Sequence, residues 1–152
     1  MAKGIDSDFF NSFSYSVFKA LGEKLGDESW KIVWRTGEIL FNKIKDKLEF
    51  KKKEPIEIVR SIAKYLKKTG YLRDAKIVIL SDEEFEYWMK EPAIEKGAFK
   101  LIEEGYPPPH ISTSILFSAL KTLTGSELEL VGNPERKDKW IVERWKIKKL
   151  IM

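Results

Sequence analysis

The apolar residues of this chain keep a helical period up to Gly70 and first leave it there, and that change limits the folds open to it. Before Gly70 the spacing is helical. After Ser7 or Asp8 as N-cap, Phe9, Phe10, Phe13, Val17, Phe18, Leu21 and Leu25 recur at intervals of three, four and seven. Gly26 stops that run and Asp27 can cap the next, in which Trp30, Val33, Trp34, Gly37, Leu40, Phe41, Ile44 and Leu48 form one stripe. A Lys-rich connection follows. Pro55 then suits the first turn of a third helix carrying Ile58, Val59, Ile62, Tyr65 and Leu66, and Gly70 suits its C′ position.

Beyond Gly70 the grammar is that of strands and turns. Ala75 to Leu80 is a short β-branched run, Ser81-Asp82 marks a turn, and Phe85, Tyr87 and Met89 alternate with polar neighbours. Ala93 to Glu104 reads as a short helix. Pro107-Pro108-Pro109 imposes an extended approach to a further helix over Ile111 to Leu123, closed by Gly125. Leu128 and Leu130, then Trp140, Val142, Trp145 and Ile147, predict two closing strands joined through Gly132-Asn133-Pro134. The expected fold is α+β: N-terminal helices packed on a small antiparallel sheet, with helix between two hairpins. No repeat or low-complexity linker divides residues 1–152, which read as a single domain.

Composition removes whole classes of chemistry. The chain has no Cys, which excludes thiolate catalysis, disulfides and Cys-ligated zinc or iron–sulfur centres. It has one His, His110, and neither a dinucleotide fingerprint nor a phosphate-binding GxxxxGK[ST] loop. No catalytic residue is assigned, no metal or other cofactor is expected, and the balance is against an enzyme. No apolar run approaches the length of a membrane span and no leader opens the chain, so a cytoplasmic protein without membrane contact is expected. Lys and Glu supply 40 of the 52 charges and Gln is absent, a balance expected of a thermophile.

Three constellations remain. His110, after three prolines, is either a ligand or base, or a residue at a helix entrance beside Ser112 and Thr113; the second reading is preferred. The acidic residues Asp82, Glu83, Glu84, Glu86, then Glu91 and Glu95, either bind a hard cation or form a solvated edge strand guarded by like charge; they lack calcium-loop spacing and the second reading is preferred. Two basic runs, Lys43 to Lys53 and Glu135 to Lys149, each carry a net +4. They are either a nucleic-acid or anionic-surface patch with Trp140 and Trp145 as stacking platforms, or Lys-rich solvated faces. The solvated reading is preferred, and a nucleic-acid partner is not expected.

The chain resembles the 4-vinyl-reductase (4VR), or hydrocarbon-binding, domain family. The resemblance runs from about Phe10 to Leu150. It is carried by Trp34-Arg35-Thr36-Gly37-Glu38-Ile39-Leu40, by Ala63-Lys64-Tyr65-Leu66-Lys67-Lys68-Thr69-Gly70-Tyr71, and by Pro107-Pro108-Pro109-His110 before the helix Ile115 to Gly125 and the closing hairpin. The same superfamily holds haem-NO-binding domains and the small core subunits of the TRAPP Golgi tether. Cysteines that many 4VR domains carry near the Pro-rich segment and in the closing hairpin are missing here, as is any thiol for TRAPP-like acylation. The resemblance therefore implies no zinc, no acyl thioester and no transferable catalytic residue.

With the aromatic load of the first two helices, it implies a non-catalytic module holding a small apolar ligand. Phe13, Phe18, Trp30, Trp34, Phe41 and His110 are the candidate ligand residues, in a cleft between the first two helices and the sheet. The alternative is a homodimeric scaffold resembling TRAPP core subunits, with Phe9, Phe10 and Phe13 as the dimer contact. A protein related to tetrapyrrole vinyl reductases is the third reading.

Overall fold

A computed structural model describes residues 4–149. The helices are α1 (Ser7–Leu25), α2 (Ser29–Ile44), α3 (Pro55–Lys68), α4 (Glu95–Glu103) and α5 (Ile111–Thr124). The strands are β1 (Asp74–Ile79), β2 (Glu84–Lys90), β3 (Ser126–Leu130), β4 (Glu135–Lys137) and β5 (Trp140–Lys149). This is the expected α+β plan, with two helices between the hairpins. The cap of α1 is Asp6, one residue earlier than Ser7; its carboxylate accepts from the Asp8 and Phe9 amides at 2.9 and 3.1 Å.

All strand pairs are antiparallel, in the order β1-β2-β5-β3, and β4 shares with β3 the far edge of β5. The closing unit is thus three strands, with β4 standing in the connection that the sequence showed only as a Gly-Asn-Pro turn. β2 lies inside the sheet, between β1 and β5. That corrects the reading of Glu84 and Glu86 as part of a guarded edge: the alternation of their strand sends them to one face while Phe85, Tyr87 and Met89 are buried on the other.

That buried face and the helices α2, α3 and α5 enclose the core. Trp145, Tyr87, Phe85 and Ile141 of the sheet meet Phe41, Ile58, Ile62, Leu116 and Leu120. α2 and α5 cross at unusually close range. A Cβ on Gly37 would stand 2.3 Å from the carbonyl carbon and oxygen of Ser114, so only glycine lets these backbones meet. α1 lies apart and docks on α4. Gly97 admits the side chain of Tyr15, and the Asn11 carboxamide accepts from the Gly97 amide at 3.0 Å. Tyr15 donates to Glu104 at 2.5 Å and Lys19 pairs with the same carboxylate at 2.7 Å. Polar contacts thus help to hold α1, beside the packing of Gly22 against the Tyr106 ring.

Candidate functional site

Three places on the molecule hold more than the core requires. The first is the outer ridge of α1. Phe9, Phe13, Val17, Leu21 and Leu25 follow one another four residues apart along α1, a single i, i+4 row, and Ile5 stands just before the helix. Asn11, Tyr15 and Gly22 lie on the side turned to α4 and Tyr106. Phe9 and Phe13 are 64% and 58% exposed, Ile5 is 72% exposed, and Val17 and Leu25 are exposed as well. Phe10 and Phe18 are half-buried.

The second is a buried polar knot at the start of α5. Three buried prolines deliver His110 in the left-handed region (φ 43°, ψ 47°), where its carbonyl accepts the first α5 bond from Ser114 at 2.8 Å. This conformation is rare for a side-chain-bearing residue and persists only when its surroundings fix it. Here they do. The imidazole Nδ1–H donates to Glu143 of β5 at 3.0 Å, and both residues are buried. The Thr113 hydroxyl donates to the other carboxylate oxygen, which also accepts the Trp145 indole N–H at 3.1 Å.

Burial works against the charge on Glu143, but hydrogen bonds from His110, Thr113 and Trp145 outweigh it and hold the carboxyl below its usual range. Burial also pushes the neighbouring Tyr71 and Tyr87 phenols up. The Tyr87 hydroxyl has no hydrogen-bond partner among the described residues. On the helix side the His110 ring stacks against Trp30 and Trp34 at centroid distances of 5.6 and 6.2 Å, and Trp34 stacks on Phe117 at 5.2 Å.

The knot is built to hold a shape. The side-chain hydrogens of His110, Thr113 and Trp145 all end on the Glu143 carboxylate, which ties the start of α5 to β5. Among the described residues no three His, Cys, Asp or Glu side chains converge as a metal site.

The third place is a cleft of about 770 Å³ beside this stack. Trp34 and Asn42 of α2, Phe117 and Lys121 of α5, and Leu128 and Leu130 of β3 are among its walls.

Of the six candidate ligand residues, the structure brings Trp30, Trp34 and His110 into one stack, and Trp34 alone of the six lines this cleft. Phe41 is sealed in the core, while Phe13 and Phe18 belong to α1. The cleft lies between α2, α5 and β3, not between the first two helices and the sheet. Sequence reasoning missed Glu143. Its one signal was a lone acid between Val142 and Arg144, on the same strand face as Ile141 and Trp145, where a buried carboxylate needs donors.

No protein-family model matches the chain, and no curated protein matches it. Its fold does have a counterpart among solved structures. A trafficking protein particle complex subunit 3 from Naegleria fowleri, covalently bound to palmitic acid, superposes with a TM-score of 0.68 at 16% sequence identity, over 96% of this chain and 97% of that one. The chain therefore has the fold of a TRAPP subunit along nearly its whole length. It has no cysteine with which to hold an acyl group as a thioester.

Proposed function

We propose that the protein is a non-catalytic, TRAPP-like scaffold subunit that pairs with a second copy of itself through α1. The observation that carries this reading is the uncovered i, i+4 ridge of Phe9, Phe13, Val17 and Leu25, with exposed Ile5 just before it. At 150–250 Å² for a whole aromatic side chain, the ridge leaves roughly 500 Å² of apolar surface in water. That is near the upper end for the largest patch on a monomer, about 300–600 Å². A homodimer interface is about 65% apolar, so such a ridge corresponds to roughly 770 Å² per partner, close to the standard size of about 800 Å². Identical i, i+4 ridges interdigitate at a crossing angle near −50°, and two copies of one helix do so about a two-fold axis.

Sedimentation at micromolar concentration tests the proposal. The wild type is expected as a dimer and the Phe9→Ser/Phe13→Ser variant as a folded monomer. A monomeric wild type overturns it.

A second reading rests on the cleft. Its volume of about 770 Å³ falls within the 300–1,000 Å³ typical of small-molecule sites, and Trp34, Phe117, Leu128 and Leu130 give it an apolar wall. It supports an apolar-ligand module of the 4VR kind, in which the cleft beside Trp34 receives the ligand. Native mass spectrometry of protein purified without denaturation is expected to show one bound small molecule per chain, released in a Phe117→Asp variant. A wild type that carries no adduct removes this second reading and leaves the scaffold intact.

A further inference from the structure

The face of the sheet turned away from α3 and α5 carries no helix among the described residues, and its two central strands place a tryptophan each on it. Trp88 of β2 and Trp140 of β5 meet edge to face with centroids 6.1 Å apart, and both are half-buried. The sequence offered Trp140 and Trp145 as a pair. The strand alternation separates them, since Trp145 is fully buried on the core side, and gives Trp140 a different neighbour.

Three ammonium groups converge on these rings. Lys76 stands 4.4 Å from the Trp88 centroid and 4.9 Å from that of Trp140, Lys137 is 5.3 Å from Trp88, and Lys90 is 5.8 Å from Trp140. None of the three has a carboxylate within 4.0 Å among the described residues. Three of the acids around them are paired with other cations. Asp74 pairs with Lys67, Glu91 with Arg73 and Glu84 with Arg144, while Glu86 accepts the Trp88 indole N–H at 3.1 Å. Glu86 keeps its charge, and Glu135, opposite Val142 on β4, is a second carboxylate without a cation partner among the described residues. Three ammonium groups against the carboxylates of Glu86 and Glu135 leave a small positive excess at the rings.

We propose that this open sheet face binds single-stranded nucleic acid, with Trp88 and Trp140 stacking bases and Lys76, Lys90 and Lys137 meeting phosphates. Aromatic platforms flanked by cations are what an unpaired strand requires, because each base offers a ring face and each linkage a negative charge. The Lys76 ammonium gains only a modest cation–π attraction at a solvated ring, so it can leave the indoles for a phosphate when a base takes its place. Duplexes do not suit a flat sheet bearing two rings, since their bases are already stacked on one another. The proposal is independent of the α1 ridge, which belongs to another part of the molecule.

Fluorescence anisotropy of a short labelled oligouridylate, titrated with the full chain at about 50 mM salt, tests it. Saturable binding is expected, with quenching of tryptophan emission and a log–log salt slope of about −2 for three phosphate contacts. Trp88→Leu or Trp140→Leu is expected to weaken binding roughly 5- to 150-fold. Lys76→Gln/Lys137→Gln leaves the fold untouched and is expected to reduce the slope to about −0.7. Lys51→Gln/Lys52→Gln, in the other basic run, is expected to change binding less than twofold. No binding at low salt overturns the proposal. So does equal loss from both lysine pairs, equal affinity for a duplex of the same length, or binding to anionic phosphatidylserine vesicles without binding to the oligonucleotide.

Discussion

α1 and α3 carry apolar repeats of similar strength, yet the molecule treats them in opposite ways. α3 buries Ile58, Val59, Ile62, Ala63 and Leu66 against the sheet and α5. α1 is five residues longer and buries only Ser14 and Gly22, and it leaves two phenylalanines more than half exposed. Periodicity says that a helix has an apolar face. What covers that face depends on surfaces distant in sequence, or outside the chain altogether.

The most damaging test of the packed side of this comparison is Gly37→Val. With Ser114 backbone atoms 2.3 Å from the new Cβ, α2 and α5 must separate, and a loss of about 4 kcal/mol or more is expected. Near-ultraviolet circular dichroism would show the collapse of tertiary packing. Retention of a native spectrum and midpoint would show that the helices can slide apart cheaply.

Next in size is Ile62→Ala on α3, expected to cost about 2–5 kcal/mol in urea unfolding, since Ile62 is fully buried. That cost should not depend on protein concentration. Phe13→Ser on α1 is its counterpart and carries the smallest folding effect of the set, within about 0.5 kcal/mol for the dilute chain. Its mark is different: the wild-type midpoint should climb with protein concentration and the variant's should not. Identical concentration dependence in both proteins would erase the contrast between the two helices.

Between these extremes stands Glu143. Its carboxyl is held below the ordinary 4.5 in the folded protein. The stability this contributes is therefore complete above the unfolded value and is lost as pH falls through the folded one. Glu143→Gln should cost about 1–3 kcal/mol near neutrality by weakening the bonds from His110, Thr113 and Trp145. It should also flatten the fall in stability between about pH 6 and pH 3, measured as the urea midpoint. A wild type and variant whose curves run parallel through that range would show that the buried carboxyl does not titrate with folding.

Much of the fold was legible because its signals are local. Helical spacing up to Leu66, the alternation of Phe85, Tyr87 and Met89, and the stops at Gly70 and Gly125 each act within a few residues, and the structure has the corresponding elements. β4 was not legible. Glu135–Lys137 is a short, wholly exposed polar segment with no apolar alternation, and it is a strand only because β5 lies beside it. The position of β2 was missed for a related reason: a charge-rich strand looks like an edge until its partners on both sides are known.

The site divides along the same line. His110 stood out as the only histidine, and Trp30 and Trp34 as members of one stripe, but their stacking depends on α5 being brought against α2 at Gly37. Glu143, 33 residues from His110, gave no local sign that it would be its partner.

By itself, then, the sequence determined the order of helices and strands, the apolar faces they carry, and the absence of thiol chemistry, because residue type and spacing suffice for these. The tertiary structure alone decided which of those faces would be covered. It set the pairing of His110 with Glu143, the separation of Trp140 from Trp145, and the exposure of Phe9 and Phe13. The physical reason is that burial belongs to pairs of surfaces: the second surface comes from a distant part of the chain, and the α1 ridge finds none among the described residues.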